Sequence, residues 1–103
     1  MSENCNRMQF LSVSRRKPGV SDEASAALRG DEAQRVRELY AEGLVRQIWH
    51  RADRPGACII WEAANEQQVR DMLDTLPFAR AQMLEIEIIP LIPYGGFGPK
   101  QRP

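Results

Sequence analysis

A short turn between two strand-like runs constrains the fold of this chain more than any other feature. Residues 44–50 and 57–61 are rich in apolar, β-branched and aromatic side chains, and Asp-Arg-Pro-Gly at 53–56 supplies the turn between them. An amphipathic helical pattern at 65–76 and an alternating apolar run at 84–91 follow. The second half of the chain therefore predicts a strand, a strand, a helix and a strand.

The first half adds one strand and one long helix. Residues 8–14 have strand character, and the segment from Ser21, a favoured N-cap residue, to Gly43, a favoured residue just past a helix end, is helical in pattern. Gly30 inside this segment leaves open a kink or a break into two helices. In the other helix, Pro77 is expected to end the segment that begins at Asn65.

The complete order, βαββαβ, predicts an α+β ferredoxin-like domain with a four-stranded antiparallel sheet. Helices would cover one face of this sheet and leave the other bare. We predict a disordered start at 1–7, a single domain at 8–92 and an irregular C-terminal arm at 93–103.

Charge and cysteine content exclude several classes of protein. The 103 residues carry 14 basic and 14 acidic side chains, so their net charge favours neither nucleic acid nor a membrane surface as a partner. The basic run at 15–17 is interpreted as a solvated loop. Cys5 and Cys58 are too few for a disulfide framework or a zinc site. Without a long apolar run for membrane insertion or secretion, we expect a cytoplasmic protein.

Glu32 is the main candidate for catalysis. Each helical residue advances about 100° around the axis, so Glu32 lies about 40° from both Leu28 and Val36, within the stripe expected to face the sheet. Burial of a carboxylate raises its pKa, and a raised pKa suits a general base that takes a proton from carbon. The alternatives are exposure of Glu32 by a helix break at Gly30, or an ion pair with an arginine such as Arg46.

His50, the only histidine, is the second catalytic candidate. Strict alternation along 44–50 places it on the same face as Arg46 and opposite Trp49. Either His50 or Arg46 would stabilise negative charge that develops on a substrate oxygen. A structural role is the alternative for each candidate. The predicted substrate contacts are Arg46, Trp49, Tyr40 and Trp61.

Six short motifs occur between residues 31 and 91: Glu42-Gly43, Gln47-Ile48-Trp49, the run 59–62, Leu76-Pro77, Ile86-Glu87 and Pro90-Leu91. Together they resemble the muconolactone Δ-isomerase family. The resemblance implies a ferredoxin-like chain that dimerises sheet to sheet into an α/β barrel, with further assembly into a decamer in the isomerases themselves. It also implies a proton shift on an unsaturated lactone through an enolate-like intermediate, without a metal or an organic cofactor.

The resemblance extends to some positions of the pocket and fails at others. Glu32 falls where the isomerases have a helix glutamate, and Trp49 matches a family tryptophan. His50 stands in place of an arginine, Gln47 in place of a histidine, and the hairpin at 55–57 lacks the tyrosine and asparagine of the family. These departures predict a substrate other than muconolactone.

The leading hypothesis is therefore a muconolactone isomerase-like, cofactor-independent isomerase acting on a small unsaturated lactone or a related carbonyl compound. One alternative is a cofactor-free monooxygenase or cyclase whose aromatic or polyketide-like substrate contacts the tryptophans. The other is a non-catalytic ligand-binding or assembly protein on the same scaffold. Apolar side chains on the bare sheet face predict at least a homodimer, with a higher homo-oligomer as an alternative.

Overall fold

The four strands and the two longer helices follow one another in the predicted order, and a short third helix precedes the last strand. The structure, a computed structural model, describes residues 7–97, which form the strands β1 (Met8–Arg16), β2 (Val45–His50), β3 (Ala57–Ala63) and β4 (Leu84–Leu91) and the helices α1 (Asp22–Ala41), α2 (Glu66–Leu73) and α3 (Pro77–Arg80). The strands make one antiparallel sheet in the order β2-β3-β1-β4. This arrangement confirms the ferredoxin-like α+β fold.

The two predicted terminal segments are described only in part. Residues 1–6 of the start and 98–103 of the arm lie outside the described residues. The described part of the arm contains one 3-10 turn at Gly95–Phe97, where the Tyr94 and Phe97 rings meet edge to face with their centroids 4.9 Å apart. Within residues 7–97, none of the helices combines the length and apolar character needed to cross a membrane.

Helix α1 is continuous. The Ser21 hydroxyl accepts a hydrogen bond from the backbone N–H of Ala24 at 3.0 Å, so Ser21 is the N-cap predicted from the sequence. Gly43 follows the helix with a φ of +83°, a conformation that glycine adopts without strain. The helix passes through Gly30 without the break that the sequence left open, and Glu32 is consequently held on the same helix face as Val36.

Helix α2 ends earlier than predicted. It stops at Leu73, and the chain turns before Pro77 opens the separate short helix α3. The interpretation of Pro77 as a helix end is therefore wrong. Proline has no N–H to donate and a φ that suits the first helical turn, so it starts a helix as readily as it stops one. Consequently α3 lies in the interval between the helix predicted at 65–76 and the strand predicted at 84–91.

The core lies between the helices and one face of the sheet. Its fully buried side chains include Leu39, Val45, Trp61, Val69 and Leu76. The indole of Trp61 makes a buried hydrogen bond to the hydroxyl of Ser12, so this tryptophan satisfies its polar atom inside the core.

A bulge in β2 changes which side chains face the helices. Val45 pairs with Trp61, but the next pairing joins Gln47 to Ile60, so β2 contains one residue more than its partner strand. Beyond the bulge, Ile48 and His50 share the helix-covered face with Val45. The strict alternation predicted for 44–50 is therefore wrong.

None of the helices α1, α2 and α3 covers the opposite face of the sheet. Its apolar side chains are Leu11, Val13, Trp49, Cys58, Ile60, Ile89 and Leu91. Two ion pairs flank them, Arg15 with Glu85 at one end and Arg46 with Glu62, 3.2 Å apart, at the other. We call this surface the open sheet face.

Candidate active site

A cavity of about 560 Å³ lies between the helices and the covered face of the sheet. Its size falls within the range of small-molecule pockets. Most of its wall is hydrocarbon, including the side chains of Val36, Ile48, Ile59, Leu76, Phe78 and Ile86. Polar groups at a few points of such a wall can orient a ligand and react with it.

Glu32 lies in the wall of this cavity. Its Oε1 accepts a hydrogen bond from the backbone N–H of Phe78 at 3.0 Å, and it forms no ion pair with any residue of 7–97. The other oxygen, Oε2, has no hydrogen-bond partner among residues 7–97. Every side-chain oxygen or nitrogen that is buried in these residues does have a hydrogen-bond partner. Oε2 is therefore not buried, and it belongs to a side chain that lines the cavity.

Burial raises the pKa of Glu32 above 4.5, and the hydrogen bond from Phe78 opposes this shift without cancelling it. The apolar wall removes water from the carboxylate, which penalises its charged form. A carboxylate with a raised pKa is a stronger base than an ordinary glutamate. Of the three placements that the sequence left open for Glu32, the structure has the buried one, without a break at Gly30 and without an ion pair to Arg46.

The structure places His50 in the same wall, at the end of the edge strand β2. The bulge explains this position, because it turns His50 and Ile48 toward the helices. Glu32 and His50 thus face one cavity from a helix and a strand respectively. One group can exchange a proton, and the other can donate a hydrogen bond.

Three arginines that were not predicted from the sequence also line the cavity: Arg16, Arg29 and Arg37. Strand β1 extends two residues beyond its predicted end, so the interpretation of 15–17 as a solvated loop is wrong for Arg15 and Arg16. Arg16 follows Ser12 and Ser14 in the period-2 pattern of the buried face, a signal that was present in the sequence. Its guanidinium pairs with Asp22 at 2.6 Å, at the start of α1.

Arg29 and Arg37 lie on α1 eight residues apart, with Ala33 midway between them. The spacing of four residues places all three on one side of the helix. Their positive charges border the cavity beside Glu32 and favour an anionic ligand or an anionic intermediate.

Four predicted substrate contacts lie elsewhere. Arg46 and Trp49 are on the open sheet face, Arg46 because it alternates with the buried Val45, and Trp49 because the bulge turns its neighbours Ile48 and His50 toward the helices. The Tyr40 side chain is 64% exposed near the end of α1, and Trp61 is fully buried against Ser12. None of these four lines the cavity.

The hairpin between β2 and β3 closes part of the cavity wall through Pro55, Gly56 and Ala57. Gly56 has a φ of +157°, and a Cβ there would lie 2.1 Å from the carbonyl oxygen of Ser14. The Ser14 hydroxyl accepts a hydrogen bond from the Ala57 N–H at 3.0 Å. The hairpin is thus packed directly on β1, and only glycine fits this approach.

The fold and the site together define a class of protein, a ferredoxin-like α+β domain with a carboxylate in the wall of an apolar cavity beneath its helices. The chain belongs to the muconolactone delta-isomerase family, whose model matches residues 8–96. This match confirms the resemblance noted in the sequence.

Two solved structures share the fold. A crystal structure of muconolactone isomerase superposes with a TM-score of 0.73 at 20% identity, covering 92% of this chain and all of the other. The 5-chloro-2-hydroxyhydroquinone dehydrochlorinase TftG from Burkholderia phenoliruptrix AC1100, in complex with 2,5-dihydroxybenzoquinone, superposes with a TM-score of 0.67 at 19% identity, covering 79% and 90%. No curated protein has significant sequence similarity to this chain.

Proposed function

We propose that this protein is a cofactor-independent isomerase that shifts a proton on a small unsaturated lactone or a related carbonyl compound other than muconolactone. Glu32 is the general base, and His50 stabilises negative charge on the carbonyl oxygen. The observation that carries the proposal is the accessible Glu32 Oε2 in the wall of an apolar cavity, on a carboxylate whose pKa burial raises. Membership of the isomerase family supports the reaction type.

The proposed reaction transfers one proton and leaves the composition of the substrate unchanged. The Glu32 carboxylate takes a proton from the carbon between the carbonyl group and the double bond. The electron pair of that C–H bond enters the conjugated system and gives a dienolate with its charge on the carbonyl oxygen. Glu32, now protonated, returns the proton to the far carbon of the dienolate, and the double bond moves into conjugation with the carbonyl.

Positive groups around the cavity support the charged intermediate. His50 can donate a hydrogen bond to the developing oxyanion, and the guanidinium groups of Arg29 and Arg37 add positive potential. Arg46, the alternative to His50 in the sequence-based hypothesis, pairs instead with Glu62 on the open sheet face. His50 is therefore the donor in this proposal.

Deuterium exchange tests the proposed base across a whole class of candidate substrates. The protein is incubated in D₂O with a panel of α,β- and β,γ-unsaturated γ-lactones, with and without a carboxylate side chain, and incorporation is followed by NMR. We expect exchange with the wild type and a loss of about 100-fold or more in Glu32→Gln.

Asp31→Asn is the matched control, because it neutralises the exposed acid next to Glu32 on the same helix. It should exchange at the wild-type rate. Exchange by Glu32→Gln as fast as wild type would remove Glu32 as the base. A wild-type protein that binds lactones without exchanging their protons would favour the non-catalytic binding protein.

The cavity does not favour the monooxygenase or cyclase alternative. That alternative depended on Tyr40, Trp49 and Trp61 as an aromatic wall, and none of them lines the cavity. The cavity instead offers aliphatic side chains, Phe78 and a row of charged groups.

We also propose that the chain forms a homodimer through its open sheet face. Trp49 is 49% exposed and Ile89 is 36% exposed on this surface in the single chain, and apolar groups grouped on one face are characteristic of an interface. Two copies packed face to face would bury them between two sheets, as in the barrel expected from the sequence. Analytical ultracentrifugation at micromolar concentration should show a dimer or a larger assembly, and a stable monomer would contradict the proposal.

A further inference from the structure

Helix α3 depends on another helix for its first hydrogen bond. Leu76, its N-cap residue, provides no side-chain cap, and Pro77 at the first helical position has no N–H. The Phe78 N–H is therefore the first free donor of the helix, and it donates to Glu32 Oε1 on α1 at 3.0 Å. The carboxylate assigned as the base thus also holds α3 in place.

A second contact joins the same two parts of the chain. Arg35 Nε donates a hydrogen bond to the Thr75 hydroxyl at 2.9 Å, and that hydroxyl donates to the carbonyl oxygen of Met72 at 2.6 Å. Arg35 follows Glu32 by three residues, and Thr75 precedes Phe78 by three. The two contacts therefore lie side by side, with α1 and the 75–78 segment running in opposite directions.

We infer that Arg35 and Thr75 are positioning residues for Glu32: their hydrogen bond holds the 75–78 segment on α1, so that the Phe78 N–H fixes Glu32 Oε1 and leaves Oε2 directed to the ligand. Neither residue lines the cavity, so they act through Glu32 and Phe78 rather than by touching substrate.

The physical reason is the freedom of a glutamate side chain. Three rotatable bonds allow an unanchored carboxylate to sample many orientations, and only a few of them place one oxygen toward a given ligand atom. When Oε1 is fixed by a hydrogen bond, most of this freedom is lost, and Oε2 is the oxygen that remains available for proton transfer. The 75–78 segment can provide the fixed point only if it does not move relative to α1.

This inference rests on Glu32 as the base of the proposed function, but an NMR measurement tests it without any substrate. In the wild type, the amide proton of Phe78 should shift with pH together with the Glu32 side-chain carboxyl carbon, because the two groups share a hydrogen bond. In Thr75→Val and in Arg35→Met, the pH-dependent shift of the Phe78 amide should fall by about half or more, since each variant removes the second contact. Glu32 itself should still titrate.

Three comparisons make this result specific. Thr75→Ser retains the hydroxyl and should keep the wild-type amplitude. Arg70→Met removes an exposed arginine paired with Glu66 at 2.6 Å on α2, and should also keep it. The titration of His50, which lines the same cavity, is followed separately through its ring protons.

The inference would be overturned if the pH-dependent shift of the Phe78 amide proton kept its wild-type amplitude in both Thr75→Val and Arg35→Met. This result would count whether or not the protein acts on lactones. If deuterium exchange is found, the same two variants should lower kcat more than they raise KM, because orientation of the base affects the proton transfer more than binding. An unchanged kcat in both variants would likewise contradict it. Loss of exchange in Glu32→Gln alone concerns the proposed function and not this positioning role.

Discussion

The indole Nε1 of Trp61 donates a hydrogen bond to the hydroxyl oxygen of Ser12 at 2.8 Å, across the paired strands β3 and β1. Trp61 is fully buried and Ser12 is 2% exposed, so water cannot replace either partner. Ser12 thus has a clear role in the core, because its hydroxyl accepts the hydrogen bond of the only polar side-chain atom of Trp61.

Ser12→Ala should leave the indole N–H buried without a partner. We expect a loss of about 1–3 kcal/mol in the free energy of unfolding, measured by urea denaturation. In a double-mutant cycle with Trp61→Phe, which removes the donor, the two losses should be clearly less than additive. Additive losses would show that the hydrogen bond adds nothing beyond packing.

The two glycines at positions 56 and 30 should respond to alanine in opposite ways. Gly56→Ala forces a Cβ against the Ser14 carbonyl oxygen at a positive φ, and we expect a loss of about 2 kcal/mol or more. Gly30→Ala places a methyl group into open space in the middle of α1, and should raise stability by about 1 kcal/mol. Thermal unfolding of both variants gives the comparison, and stabilisation by Gly56→Ala would contradict the observed packing on β1.

The stability of the protein should depend on pH through Glu32. A carboxyl group whose pKa is raised in the folded state binds more protons folded than unfolded, from pH 4.5 up to its folded pKa. Stability is therefore lost as the pH rises through this window and the buried group ionises. Glu32→Gln carries no such charge and retains an oxygen that can accept from the Phe78 N–H.

The stability of Glu32→Gln relative to wild type should accordingly increase between pH 4 and pH 8. Chemical denaturation at both values measures this difference. Asp31→Asn should show no comparable increase, because Asp31 is exposed. A difference between Glu32→Gln and wild type that is constant with pH would contradict the raised pKa.

Ile60→Glu should separate the proposed dimer. Ile60 lies on β3 within the open sheet face, beside Leu11 of β1 in the sheet register. Two copies brought together would bury an unpaired carboxylate at this position, which opposes association. Tyr40→Glu is the control, because it also exchanges a large exposed side chain for an acid. Tyr40 lies on α1, away from the open sheet face, so this variant should sediment like the wild type. A variant Ile60→Glu that is folded by circular dichroism and still dimeric would argue for a different interface.

The fold could be predicted because its main signals are local. The last strand was predicted with its observed bounds because Leu84, Ile86 and Ile88 alternate with acidic side chains. The start of α1 followed from the capping chemistry of Ser21. The prediction at Pro77 was wrong because the same residue suits both the end and the start of a helix, and only the path of the chain in space decides between them.

The site could be predicted only in part. The position of Glu32 on the sheet-facing side of α1 was predicted by helical geometry, which does not depend on the neighbouring elements. The face of His50, opposite to that of Arg46, depends on the bulge in β2, and the pairing with β3 that creates this bulge has no clear local signature. Arg16 was not predicted because the expected strand ended two residues too early.

The bulge also has a consequence for how such proteins can change their chemistry. If β2 kept all its residues but paired with β3 without the bulge, strict alternation from Val45 would exchange the orientations of Trp49 and His50. An indole would then replace the imidazole beside Glu32, and a titratable ring would move to the surface proposed to meet a second copy. A change in the pairing of one edge strand would thereby convert a pocket that polarises oxygen into one that stacks on flat rings, with the helix carboxylate left untouched.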